Sequence, residues 1–258
     1  MAAHRVATLW PWLVVLGMAR PVSAQVNTEK LRDTHGREGF TPAFEGTLTG
    51  RTGNSEGILA GGAGILRWRY TPHLFFVHAR GDYVRFNGET STSRALLHTR
   101  YNYELTPWLW SEVFGQIQLD GLQRLARRDL VGTGPRFGLY DTDPFAVFFG
   151  TAYMLEHEII RVEPGAPDTP ETTVHRSSNY LSMLLMPDDR VTCFATLYAQ
   201  PRFDKPSDYR ILAELSLQYA IGKRFSTRID GQIRYDSRPP TGVKGLDTEL
   251  KNAFEWKF

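Results

Sequence analysis

The stretch "FSTRIDGQIRYD", residues 225–236, decides the fold. Phe225, Thr227, Ile229, Gly231, Ile233 and Tyr235 fall on one side of an extended chain. Ser226, Arg228, Asp230, Gln232, Arg234 and Asp236 fall on the other. Strict period two puts successive side chains on opposite faces of a strand, and no helical period explains it. The run is also long. Soluble strands average about 5–6 residues, whereas a tilted strand that crosses a bilayer needs about 9–11.

The same pattern recurs outward from this stretch. "YRILAELSLQYA" (209–220) sets Ile211, Ala213, Leu215, Leu217 and Tyr219 against Arg210, Glu214, Ser216 and Gln218. "RALLHTRYNYEL" (94–105) sets Leu97, Thr99, Tyr101 and Tyr103 against Arg94, His98, Arg100, Asn102 and Glu104. Twelve such runs begin near residues 43, 56, 74, 91, 108, 126, 145, 175, 190, 209, 225 and 246.

The links between runs alternate in length. "YTPH", "LTPW", "DTDP", "MPDD" and "IGKR" are tight turns. "RTGNSEG", "FNGETS", "DGLQRLA", "RVEPGAPDTPETTVH", "RFDKPSD" and "SRPPTGVKG" are longer and polar. Short turns at one end, long loops at the other and an even strand number predict an all-β, closed antiparallel transmembrane barrel of outer-membrane type, about 12 strands, over residues 40–258. Lipid offers no hydrogen-bond partner, so a spanning sheet must close on itself. The apolar parity then faces lipid and the charged parity the lumen, which reconciles a membrane protein with a mean hydropathy of −0.33. Tyr70, Phe75, Trp108, Trp110, Tyr140, Phe145 and Tyr219 are expected in aromatic girdles at the two interfaces. A soluble sandwich or lipocalin-like barrel is the competing reading.

Both ends of the chain support export. Residues 1–24, "MAAHRVATLWPWLVVLGMARPVSA", have a basic start, an apolar run and a small-residue site, which reads as a signal peptide; residues 25–39 form a short periplasmic lead. The competing reading is an amphipathic N-terminal helix. At the other end "LKNAFEWKF" (250–258) puts Phe254, Trp256 and Phe258 on the lipid parity and Lys251, Glu255 and Lys257 on the lumen parity. A terminal aromatic resembles the assembly signal of barrels in general, so outer-membrane lipids and the barrel assembly machinery are the expected partners.

Charge excludes nucleic acid as a partner. Of 30 Lys+Arg and 28 Asp+Glu, Arg5 and Arg20 lie in the leader, which leaves a balanced mature chain with its signs interspersed. The single cysteine, Cys193, excludes an internal disulfide.

Several stretches resemble one family. They are "GFTPAFEGTLTGRTGNSEG", "HTRYNYELTPWLWSEVFGQIQLDGLQRLARRDLVGTGPRF", "YAQPRFDKPSDYR" and "YDSRPPTGVKGLDTELKNAFEWKF", with Pro239, Pro240, Gly242, Val243, Lys244 and Asp247 the most specific. They resemble the YdiY-like salt-induced outer-membrane proteins, known as domain of unknown function 481. The resemblance implies an envelope barrel, made in response to salt or osmotic conditions, and transfers no catalytic residues.

The candidate chemistry is mostly luminal. Arg228, Asp230, Arg234 and Asp236, with Arg210 and Glu214 before them and Lys251, Glu255 and Lys257 after, can pair across strands. They predict either a narrow polar channel or a salt-bridged plug. A plug or very narrow pore is the expectation, since twelve strands lie between filled and open barrels. In "EHE", His157 opposes Glu156 and Glu158, so the triplet predicts no metal site, and both glutamates are expected to pair with arginines such as Arg128 and Arg136. No motif implies a cofactor; the glycines of "GTGPRFG" are expected to permit curvature or close backbone approach. The enzymatic alternative is an outer-membrane lipid hydrolase using His175 and Ser177, which share a parity with Asn179. No solute or oligomeric state is legible.

Overall fold

The computed structural model describes residues 38–52, 56–222 and 225–256. The predicted leader, most of the lead, and Lys257 and Phe258 lie outside the described residues.

Among the described residues there are twelve strands in one antiparallel sheet, ordered β1 to β12 along the chain. The first six are β1 (Gly39–Arg51), β2 (Gly57–Tyr70), β3 (His73–Phe86), β4 (Glu89–Thr106), β5 (Leu109–Asp120) and β6 (Leu125–Thr142). The rest are β7 (Phe145–Ile160), β8 (Glu171–Asp188), β9 (Val191–Pro201), β10 (Tyr209–Ala220), β11 (Phe225–Asp236) and β12 (Leu246–Trp256). The described ladders run from β1 to β12, and none of them joins β12 back to β1. The sheet nevertheless curls strongly. Gln123, between β5 and β6, donates to the carboxylate of Asp247 on β12 at 3.2 Å. Arg210 of β10 likewise reaches Glu156 of β7 at 2.6 Å.

The curl encloses the polar parity. Gln118, Ser182, Glu156 and Arg176 are 1, 2, 2 and 3% exposed, while Leu215, Ile233 and Leu250 are 52, 50 and 80% exposed. This distribution is inverted relative to a water-soluble domain, where Glu and Arg are almost never fully buried and exposed apolar residues do not line one whole face. A small apolar component remains inside, including Phe76, Phe114, Phe148 and Met154.

Inward glycines make the filling possible. A Cβ on Gly150 would lie 2.1 Å from the Tyr180 ring, and one on Gly132 would lie 2.3 Å from the Phe114 ring. Each inward ring thus packs directly against the bare backbone of a neighbouring strand. At Gly134, in the "GTGPRFG" segment, a Cβ would lie 2.0 Å from the Thr151 carbonyl oxygen, which is the close backbone approach the sequence suggests there.

Three expectations are corrected. The "FNGETS" connection is not a long loop: Asn87 and Gly88, with φ of 48° and 85°, join β3 to β4 in a two-residue hairpin turn of the kind Asn-Gly favours. Trp110 is not a girdle residue; its ring points inward, edge-on to buried Phe148 at 6.1 Å. Tyr70, Phe75, Trp108, Tyr140 and Tyr219 are exposed as expected, but with Phe145 they all sit at the short-turn end of the sheet. The outward tyrosine pair at the loop end is Tyr209 and Tyr235, with ring centroids 5.7 Å apart.

Candidate functional site: the charged interior

The main cluster lies in the half of the interior nearest the long loops. Register sets Arg128 of β6 opposite Glu158 of β7, and Arg210 of β10 opposite Asp236 of β11. Long side chains then reach past their neighbours. Arg210 contacts Glu156 at 2.6 Å, Glu158 at 3.0 Å and Asp236 at 2.8 Å. Arg128 Nε donates to Glu158 at 2.7 Å. Arg176 of β8 donates to Glu156 at 3.1 Å and to Asp208 at 3.0 Å, and its Nη1 also reaches the Gln200 and Asp208 carbonyls. Arg202 closes the chain of contacts on Asp208 at 3.3 Å. Guanidinium groups suit this role because their five donors serve several acceptors at once. Three of them converge on two carboxylates, so each buried charge has an opposite neighbour.

A second cluster lies toward the turns. Tyr180 of β8 donates to both oxygens of Glu112 of β5, at 3.1 Å each, and accepts from Arg136 Nη1 at 3.3 Å. Arg136 stacks over the Phe148 ring at 4.0 Å, and Arg100 lies 3.6 Å from Glu112 and over Phe114 at 5.1 Å. Arg136 therefore does not pair with Glu156 or Glu158 as expected; register places it opposite Gly150, far down the strand from both.

The remaining predicted luminal charges are only partly brought together. Arg228 pairs with Asp230 on its own strand at 2.8 Å, and Asp230 accepts from Ser216 at 2.6 Å. Arg234 lies 3.6 Å from Asp247, and Glu214 accepts from Gln232. Register sets Lys251 opposite Asp230 and Glu255 opposite Ser226; their side chains, like that of Trp256, lie outside the described residues. Phe254 faces outward, stacked on Phe225 with centroids 5.9 Å apart.

Sequence reasoning missed Arg176, Asp208, Glu112 and Tyr180 as members. The signal for two of them was the other parity of the segment "HRSSN": Arg176 and Ser178 alternate with His175 and Ser177 and continue to Tyr180.

His175, Ser177 and Asn179 do share the outward face. His175 is bonded to the Tyr153 hydroxyl, while Ser177 exchanges bonds with Asn179 at 2.9 and 3.2 Å. Each candidate residue thus has its own partner, and the described bonds include none between His175 and Ser177. His157 also faces outward, bonded to Thr173 at 2.9 Å and opposite in direction to Glu156 and Glu158. Among the described residues no His, Cys, Asp and Glu side chains are gathered as a metal-ligand set.

The loops fold over this end. Asp168 of the longest loop accepts from the Thr241 amide at 3.0 Å and from its hydroxyl at 3.0 Å, which ties the β7–β8 loop to the β11–β12 loop. Arg124 pairs with Glu163 and binds the β5–β6 loop to the same lid.

Comparison with known proteins adds two findings. The model of the family described as "Protein of unknown function, DUF481" matches residues 47–258. A solved NanC porin is similar at 8% identity with a TM-score of 0.48, over 84% of this chain and 99% of that one. No curated protein matches this chain.

Proposed function

This chain belongs to the DUF481 family, and from that premise we propose that it is a closed outer-membrane β-barrel of the bacterial envelope. Its role is structural and non-enzymatic, with a lumen plugged or very narrow, in an envelope exposed to salt or osmotic stress. The observation that carries the reading is the inverted burial: Glu156 is 2% and Arg176 3% exposed, while the alternate residues of the same sheet, such as Leu215, are exposed and apolar. Only an apolar surrounding makes that face favourable, at about 25 cal/mol per Å² removed from water. Closure follows from the same surroundings, because unpaired edges of β1 and β12 in hydrocarbon would each strand several donors and acceptors. The paired interior charges support bracing over wide conduction. Outer-membrane lipids are then the solvent, and the insertion machinery reads Phe254, Trp256 and Phe258.

The test has two arms. An epitope placed in "PGAPDTPET" should label on intact cells, and one in "DTDP" only after the outer membrane is opened; the reverse would overturn the topology. Purified protein in planar bilayers should give no steps or only small ones. Large, steady porin-like conductance would overturn the plug and leave the barrel standing.

A further inference from the structure

The turn end of the interior holds a separate cavity of about 520 Å³, its open mouth included. Its polar wall is made by Arg69 of β2, Asn102 and Glu104 of β4, and Arg136 and Asp141 of β6, with the Trp110 ring of β5 beside them. Asn102 is 3% exposed, and neither its amide oxygen nor its amide nitrogen has a hydrogen-bond partner. Its cross-strand neighbours do not supply one: Leu74 on β3 is apolar, and Glu112 on β5 is engaged by Tyr180 and Arg100. A buried amide that spends neither its donors nor its acceptor is rare in native structures and calls for an explanation. Two residues along the same face, the Glu104 carboxylate lines the same cavity.

We propose that this cavity binds a small, neutral, polyhydroxylated solute. A hydroxyl both donates and accepts, so two neighbouring hydroxyls satisfy the Asn102 oxygen and nitrogen together. Further hydroxyls donate to Glu104 and accept from Arg69 and Arg136, while the Trp110 indole supplies an apolar wall. An anion would place negative charge against Glu104 and Asp141 and leave the amide oxygen unmatched. A cation would face Arg69 and Arg136 and leave the amide nitrogen unmatched. The site stands on the interior geometry; only its placement at the periplasmic mouth rests on the topology proposed above.

The experiment uses the full mature chain in detergent, with its fold verified first by far-UV circular dichroism and a heat-modifiable gel shift. Loss of those signatures would count against the barrel, not against the site. Glycerol, glucose and trehalose are then titrated by calorimetry and tryptophan fluorescence, with glycine betaine and sodium sulfate as zwitterionic and anionic controls. At least one polyol should bind saturably and the controls should not. Asn102→Leu should weaken that binding at least tenfold without lowering the thermal midpoint, because leucine fills similar volume and removes an unspent amide. Glu104→Gln should weaken it severalfold, and it carries the test should Asn102→Leu not fold. Absence of saturable binding by folded wild type, or unchanged affinity in the folded variants, would overturn the proposal.

Discussion

The two halves of the interior are built differently. Toward the loops, Arg128, Arg176 and Arg210 interlock with Glu156, Glu158, Asp208 and Asp236, and every charge has an opposite neighbour. Toward the turns, Arg100, Glu112, Arg136 and Tyr180 share space with Phe114, Phe148 and Trp110, and Asn102 lies beside them with nothing to bond. The ionic cluster of the loop half is internally paired, although cavities open beside it and Asp120 Oδ2 and Gln118 Nε2 nearby have no hydrogen-bond partner. The turn half has unspent polar capacity and an opening. The same inward parity therefore yields a brace in one place and a receptive wall in another, according to whether long guanidinium arms can reach enough acceptors.

Removing a carboxylate from the ionic cluster should break the comparison hardest. Glu156→Ala strands Arg176 and Arg210, each with one of its carboxylates gone, in a site where breaking a buried pair costs about 3–5 kcal/mol. Chemical denaturation of the detergent-refolded protein should show that loss. A change well below 1 kcal/mol would mean that water already screens the cluster and that the lumen is open there.

A smaller effect is expected from the turn half. Gly150→Ala would drive a methyl group into the Tyr180 ring, displacing its hydroxyl from Glu112 and Arg136. Overpacking of this kind costs about 1–3 kcal/mol. The same denaturation experiment, run beside Glu156→Ala, ranks the two halves directly. Equal losses would show that the aromatic layer braces the sheet as strongly as the ionic one.

The least effect belongs to Asp204, at the exposed edge of the loop half. The Arg202 guanidinium beside Asp204 holds that carboxyl below the ordinary carboxylate range, and the Asp204 side chain is largely solvent-exposed. A depressed folded-state value means that the contribution is present at neutral pH and is lost as pH falls through the folded value. Hydrogen exchange at the Arg202 amide, which donates to the Asp208 carbonyl at 3.0 Å, should therefore quicken on acidification beyond the intrinsic trend in wild type. Asp204→Asn should remove that extra pH dependence and leave the global midpoint where it was, as expected of an exposed carboxylate.

Much of the fold was legible because side-chain alternation is local. β10, β11 and β12 begin at Tyr209, Phe225 and Leu246, where the periodic runs begin. β1 starts earlier, at Gly39, where Gly39 and Pro42 hide the period. β8 starts earlier, at Glu171, where the polar Glu171-Thr172-Thr173 reads as the end of the long loop. Parity also placed Arg210, Asp230, Arg234, Asp236, Glu156 and Glu158 on the inward face. Misreadings arose where a local signal had two meanings. Trp110, close to the end of a strand, has the composition of a girdle residue but the parity of the interior. "FNGETS" has the polarity of a loop, yet Asn-Gly alone closes the hairpin.

By itself, then, the sequence determined the strand period, the long and short connections and which side chains share a face, since each is a property of neighbours along the chain. Only the tertiary structure decided which inward charges meet. The Arg210–Glu156 and Tyr180–Glu112 contacts join residues 54 and 68 positions apart, across intervening strands. Such contacts depend on the curvature of the sheet, on glycines that let rings lie against bare backbone, and on the reach of arginine, none of which a one-dimensional period encodes. The same limit hid Asn102: its parity shows that it points inward, but only the enclosing walls show that nothing there answers its amide.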